Sequence, residues 1–213
     1  MKITKLGHCC LVVEVGDLKM LTDPGVFSTA QNDVRGIDVV LITHEHADHL
    51  HVASVKAILT NNPDALVLTN ASVGKLLEKE GIAYEVVEGR DTKEIKGIEI
   101  EAFDGKHEEI FEEIGQVQNT GYMIAGKLFY PGDAFTHPEK PVEILALPVA
   151  GPWCRIRDAI SYALRIHPKK IFPVHDGMLQ KDRIGPIHAV PTKILSEKGI
   201  EFIVLPEGEE KEL

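Results

Sequence analysis

The sequence predicts an α+β fold: a four-layer αββα sandwich, with two mixed β-sheets packed face to face and helices outside. Two observations predict it. Runs of strands give way to helices twice along the chain, and each sheet then needs cover on one face only. A weak internal echo points the same way. "KLLEKEGIAYEVVEG" (75–89) and "KILSEKGIEFIVLPEG" (193–208) both read helix, glycine, isoleucine, aromatic and valine-bearing strand. Any helix-to-strand connection capped by glycine reads alike, so chance and two like halves both remain open.

The elements follow in order. "KITKL", "CLVVEV", "KMLTD" and "IDVVLIT" are β-branched runs divided by Gly and Asp turn signals, which predicts an antiparallel meander. Helical spacing of apolar residues then marks "ASVKAIL" (53–59) and "ASVGKLLEKE" (71–80), with Gly81 as a stop. "ALVLT", "AYEVVE" and "IEIEAF" read as strands, and "GYMIAGKLFYPGD" as a hairpin broken at "AGK". "EILALPV" and "KIFPVH" are further strands, helices fall near 156–166 and 189–198, and "IEFIVLP" closes the chain as a strand.

With 213 residues the chain suits one core, burying about 70% of its unfolded surface, so a single domain over 1–213 is expected. Acidic residues outnumber basic ones, 33 to 23, for a net charge of −10. That sign disfavours nucleic acid and anionic membranes as partners and leaves a small-molecule substrate, with a homo-oligomer open. No transmembrane-length segment is present, and the N-terminal alternation is interrupted by His8, Glu14 and Asp17, unlike a signal peptide. Three cysteines make no disulfide framework, which points to a reducing cytoplasm. Cys9 and Cys10, adjacent on a strand, face opposite ways and read as core residues.

The densest chemistry lies in "LITHEHADHL" (41–50), where His44, Glu45, His46, Asp48 and His49 follow an apolar run. His44 and His46, two apart on an extended segment, point the same way and can converge on one cation. Burying such groups without a partner is costly, and imidazole with carboxylate suits zinc and its first-row neighbours. No cysteine is near, which favours an open catalytic site over a closed structural one. Further ligands are expected at other strand ends: His107 in "FDGKHEE", Asp133 in "FYPGDAF" and His175 in "IFPVHDG".

This set resembles the metallo-β-lactamase-fold hydrolases. His44, His46, Asp48 and His49 match the family's H-x-H-x-D-H signature, and His107, Asp133 and His175 keep its later order. "LGHCCLVVE", "LTDPG" and "PVAGPWCRIRDAISYALRIHPKKIFPVHDG" resemble the small branch related to ascorbate-6-phosphate lactonase. The resemblance implies two divalent metal ions, zinc by default with manganese or iron as alternatives. It assigns His44, His46 and His107 to one and Asp48, His49 and His175 to the other, with Asp133 bridging. Two departures touch no ligand: "GDA" where "GDT" is frequent, and Asp176 where the branch often carries an aromatic.

The expected chemistry is hydrolysis of a small ester, lactone or phosphodiester by a hydroxide shared between the metals, with Asp48 orienting it. Asp23 is read either as support for a ligand histidine or as a turn former before Pro24. The resemblance to the lactonase branch places His8 at the pocket as substrate binder or proton donor, in preference to a core histidine. His137 reaches the same mouth or sits in a surface turn beside Pro138. Trp153 walls the cleft with Arg155, which pairs with an anionic substrate group. His51, His167 and His188 read as structural. The alternative is a mononuclear-iron redox enzyme of the same fold, resembling persulfide dioxygenases.

Overall fold

Alternation along one short strand sets up two of the four layers. Leu11 and Val13 face the core between the sheets, while Cys10 and Val12 face the first helical layer. The structure is a computed structural model and describes residues 1–114 and 116–213. Its first sheet opens with an antiparallel meander of β1 (Lys2–Gly7), β2 (Cys10–Val15) and β3 (Leu18–Thr22). The fourth predicted member of that meander, β4 (Val39–Leu41), instead lies parallel to β3. The connection between them is long enough for a crossover, which a tight hairpin could not provide. Helix α1 (Val52–Asn61), β5 (Leu66–Thr69), α2 (Ala71–Lys79) and β6 (Glu85–Val86) continue the parallel run.

The second sheet repeats the plan. Strands β7 (Thr92–Ile95), β8 (Ile98–Lys106), β9 (Gln118–Ile124) and β10 (Leu128–Tyr130) are antiparallel neighbours. They lead into parallel β11 (Ile144–Pro148), helix α3 (Ile156–Ile166), β12 (Lys170–Val174), helix α4 (Gly185–Ser196) and β13 (Glu201–Phe202). The chain then returns to the first sheet, where β14 (Glu210–Glu212) pairs with β1. Each sheet has seven strands, in the orders β14-β1-β2-β3-β4-β5-β6 and β13-β12-β11-β10-β9-β8-β7. The two echoing segments supply α2 with β6 and α4 with β13, so each ends on the outermost parallel strand of its sheet. In both, the helix stops at a left-handed glycine, Gly81 (φ 68°) and Gly199 (φ 76°).

Three apolar layers hold the sandwich. Leu11, Met20 and Leu41 meet Tyr122, Tyr130 and Phe172 between the sheets. Val55, Ile58, Val73 and Leu77 press α1 and α2 onto the first sheet, and Ala159, Tyr162, Ala163 and Leu195 press α3 and α4 onto the second. Each fully buried Leu, Ile, Val or Phe contributes about 1.5–3 kcal/mol, which favours full coverage of both sheets. Cys9 lies in the inner core and Cys10 under the helices, opposite faces as expected; all three cysteines are free and buried. No helix among the described residues is long and apolar enough to cross a membrane.

Some elements differ from expectation. Helix α4 starts four residues early because Pro186, with no N–H to donate, fits a first turn, and it carries Pro191 inside. "AYEVVE" and "IEFIVLP" contribute only two paired residues each. Strands β7 and β14, rich in Lys and Glu, carry no alternating apolar pattern, Ile95 being their one residue packed against the core, and they pair at sheet edges.

Candidate metal centre

Strand direction gathers the polar residues at one edge. Strands β1, β3, β4 and β5 run the same way, as do β8, β10, β11 and β12, so their C-terminal ends open together. The turns beyond them carry His8, Asp23, His44 to His49, His107, Asp133 and His175. Three of these residues hold positive φ without being glycine: His8 at 50°, Asp23 at 37° and His175 at 62°. Such backbone costs about 1–3 kcal/mol each and persists where surrounding contacts impose it.

Three overlapping groups of candidate ligand atoms result. His44, His46 and His107 form one, Asp48, His49, Asp133 and His175 a second, and His8, Cys9, His49 and His175 a third that shares two rings with the second, the atoms of each lying within 4.8 Å of one another. Asp133 reaches the first two. Its Oδ1 is 3.1 Å from His49 Nε2, and its Oδ2 is 2.8 Å from His175 Nε2, 3.3 Å from His107 Nε2 and 3.9 Å from His44 Nε2. Asp48 Oδ2 is 3.4 Å from His175 Nε2. Despite these approaches, His44 Nε2, His49 Nε2, His175 Nε2 and Asp133 Oδ1 are buried without a partner in hydrogen-bonding geometry. Buried polar atoms are normally satisfied, so orphans converging on one point fit a cation, and imidazole with carboxylate is a donor set for divalent metals.

The opposite side of three rings, those of His49, His44 and His107, is anchored, whereas His175 Nδ1 is buried without a partner. His49 Nδ1 lies 2.7 Å from Asp23 Oδ2, and that carboxylate also accepts from the Thr43 amide, the Thr43 hydroxyl and the Tyr130 hydroxyl. Because the Thr43 hydroxyl donates to Asp23, its oxygen is left to accept from His44 Nδ1 at 3.0 Å. His107 Nδ1 donates to the Glu108 carbonyl at 2.6 Å. In all three rings Nδ1 is held by an acceptor, which leaves Nε2 as the atom that can ligate a cation, the arrangement that ligation requires. Asn119 fixes Asp133 by accepting its amide, and Gly132 (φ 64°) lets the turn pass: a Cβ there would meet Asn119 Oδ1 at 2.4 Å.

Electrostatics agree with a cation-binding cage. Burial alone would raise the pKa of Asp133, yet the charges of His49 and His175 hold it well below the usual carboxylate range. Burial likewise opposes protonation of His49 and His175, and the Asp133 charge outweighs it, pushing both well above the usual imidazole range. Burial pushes His44 well down and lowers His46. Without a cation, protons on His49 and His175 balance the carboxylates, and a metal ion must displace them.

His8 takes the less favoured of its two expected places, in the core behind the site. It is fully buried and does not line the cleft; its Nδ1 accepts from the Gly177 amide, so Nε2 carries the proton and donates to Asp48 Oδ2 at 3.2 Å. Burial lowers it to about 4 against the opposing hydrogen bond to Asp48, so it is neutral at pH 7. It therefore braces Asp48 from behind the cleft wall without lining the cleft itself. Trp153 does wall the cleft, its ring 5.5 Å from those of His107 and His175.

Two expected substrate contacts are not brought in. Arg155, expected beside Trp153, is 77% exposed and binds Asp158 on the first turn of α3, where a residue three positions on is its nearest partner. His137 is exposed and accepts the Glu139 amide in a surface turn beside Pro138. Sequence reasoning missed Thr43, Asn119 and Tyr130; only Thr43, directly ahead of His44, carried a positional signal.

An αββα sandwich with a two-group His/Asp centre at its strand ends has the metallo-β-lactamase architecture. The chain belongs to the β-lactamase superfamily: the family described as "Beta-lactamase superfamily domain" matches residues 2–175. It is 31% identical over 212 residues to Protein Rv0786c of Mycobacterium tuberculosis, covering 97% of each chain. It is 28% identical to a UPF0173 metal-dependent hydrolase of Methanocaldococcus jannaschii, covering 99% of this chain and 100% of the other. The solved structure of Igni18, a metallo hydrolase from Ignicoccus hospitalis, superposes with a TM-score of 0.74 at 20% identity, covering 100% and 98%.

Proposed function

We propose that this protein is a metal-dependent hydrolase that binds two divalent cations and cleaves a small ester, lactone or phosphodiester. The observation that carries the reading is the convergence of orphaned, buried ligand atoms from His44, His49, Asp133 and His175 beside a cleft that Asp133 and His175 line. Family membership and the M. jannaschii relative described as a metal-dependent hydrolase support it. His44, His46 and His107 would hold one cation and Asp48, His49 and His175 the other, with Asp133 within reach of both sets. Bound there, divalent cations polarise the substrate oxygen and lower the pKa of an attacking water. The chain's own residues do the rest. Asp23 and Thr43 fix the tautomers, His8 holds Asp48 with its Nε2 proton, and Trp153 excludes water from one wall of the cleft.

Elemental analysis of purified protein together with a panel of lactones, esters and phosphodiesters tests this. Two equivalents of zinc or manganese and turnover of one class are expected, with Asp133→Asn losing both. One iron per chain with oxygen uptake would overturn the hydrolase and support the iron redox alternative. The same overturning follows if His46→Ala keeps full metal content and activity.

A further inference from the structure

The mouth of the cleft is apolar in a way that no packing requirement explains. Val26 (45% exposed), Phe27 (45%), Ile110 (37%), Ile114 (63%) and Met178 (40%) all line it. They come from three separate segments: the turn after β3, the stretch between β8 and β9, and the turn after β12. Phe111, 63% exposed, is tied to Ile114 by a β-bridge and extends the same surface. The other exposed large hydrophobics among the described residues, Val86, Val190 and Val204, stand apart from this cleft. Large apolar side chains gathered on one rim mark a binding site, since folding gains nothing from leaving them in water.

The rim also lacks a cation. No Lys or Arg lines the cleft among the described residues, and Arg155 is engaged with Asp158. A distal phosphate or carboxylate on a substrate therefore finds apolar side chains where it needs a positive charge. The space is about 450 Å³, within the roughly 300–1,000 Å³ of small-molecule sites.

We infer that the substrate is an uncharged carboxylic ester or lactone whose acyl part carries an aliphatic arm, the arm lying on Phe27, Ile110, Ile114 and Met178. This rests on the hydrolase reading. Water's oxygen bonds to the acyl carbon, the carbon–oxygen ester bond breaks, one of water's protons leaves with the alkoxide and the other passes to solvent, giving a carboxylate and an alcohol. The acyl arm keeps its place on the rim throughout, so arm length acts on binding and on kcat/KM alike.

Two series test it. In the first, the metal-loaded protein is titrated with linear carboxylates from acetate to octanoate, read by fluorescence of Trp153, the chain's single tryptophan. Affinity is expected to rise about twofold to fourfold per methylene. Suberate, octanoate's length with a second charge, is expected to bind about tenfold more weakly or worse. In the second, kcat/KM for p-nitrophenyl esters of the same acyl chains is expected to climb in parallel. Phe27→Ser with Ile114→Ser should flatten both slopes, and both side chains are exposed enough to replace without unfolding the chain. A flat carboxylate series, or suberate matching octanoate, overturns the inference, as does a rim covered by a second copy in sedimentation with no chain-length dependence. A rising carboxylate series with no ester or lactone turnover overturns the inferred substrate and leaves the apolar site standing, and only the further absence of phosphodiester turnover sinks the hydrolase reading.

Discussion

The carboxylate of Asp23 accepts the Nδ1 proton of His49 at 2.7 Å, and it also accepts from the Thr43 hydroxyl, whose oxygen in turn accepts from His44 Nδ1. One buried acid thus sets the tautomer of a histidine in each half of the candidate centre. Tyr130, donating to the same carboxylate at 2.6 Å, ties it to the second sheet. Asp23→Asn puts an amide N–H where an acceptor is needed, so His49 turns its proton toward the cation position. Metal affinity is expected to fall about 10–100-fold, read by competition with a chromogenic chelator. Unchanged affinity would remove Asp23 from this role.

Behind the centre, Lys5 Nζ lies 2.5 Å from Asp176 Oδ1, with both side chains almost fully buried. Lys5 also donates to the Pro173 carbonyl, and Asp176 Oδ2 meets His188 Nε2 at 3.0 Å, joining β1, the turn after β12 and α4. Burial tends to raise the pKa of Asp176, but the hydrogen bond from His188 and the Lys5 charge keep it below the usual carboxylate range. Lys5→Met strands a buried carboxylate beside His175, and the expected loss is about 3–5 kcal/mol in urea denaturation. The double variant Lys5→Met, Asp176→Leu is expected to recover much of it. A single variant as stable as the wild type would mean that the pair is not a stabilising unit.

What the sequence made legible follows from chemistry that demands particular residue types. Metal ligation accepts few side chains, so seven His and Asp positions stood out, and strand direction brings them together. Period-two and helical patterns located most elements for the same reason, since burial enforces them. Strands β7 and β14 escaped because a Lys- and Glu-rich edge carries no burial pattern. Tyr130 and Asn119 escaped because a buried hydroxyl or amide reads as ordinary until its partner across the sandwich is known. Arg155 and His137 were drawn to the cleft by chain proximity, whereas each found a nearer partner, Asp158 and the Glu139 amide. The apolar rim was illegible because single hydrophobic residues in loops are common, and only their meeting in space gives them meaning.

His8 gives a pH dependence with a definite sign. Its native pKa is lowered to about 4 by burial, while an unfolded histidine titrates near 6.5. Above about pH 6.5 neither state holds the proton, and the stability contribution of the neutral ring is complete. As pH falls from about 6.5 toward 4 the unfolded chain takes up a proton that the native state refuses, and stability drops by about 1.4 kcal/mol per unit. Urea midpoints of metal-free protein at pH 7.5, 5.5 and 4.5, compared with His8→Asn, isolate this from the other histidines. The variant is expected to show a shallower acid loss, and parallel curves would mean that His8 is not held neutral in the fold.

Gly25 joins the turn after β3 to the metal-binding motif at a distance that admits no side chain. A Cβ there would stand 1.8 Å from the Asp48 carbonyl oxygen and 2.6 Å from the His49 amide nitrogen, and neither backbone atom can swing aside as a flexible side chain could. Just beyond, the Val26 amide donates to the Ala47 carbonyl at 2.9 Å, so the two turns are fastened as well as close. Gly25→Ala must therefore push residues 47–49 outward, moving Asp48 and His49 while leaving His44, His46 and His107 on their own supports. The expected result is selective: bound metal falls from two equivalents toward one in elemental analysis, and hydrolysis falls by at least about tenfold because a displacement near 1 Å is already costly to catalysis. Equal loss of both ions would mean that the two halves of the centre form as one unit. Two ions with full activity would mean that the approach of Gly25 to Asp48 plays no part in shaping the second half.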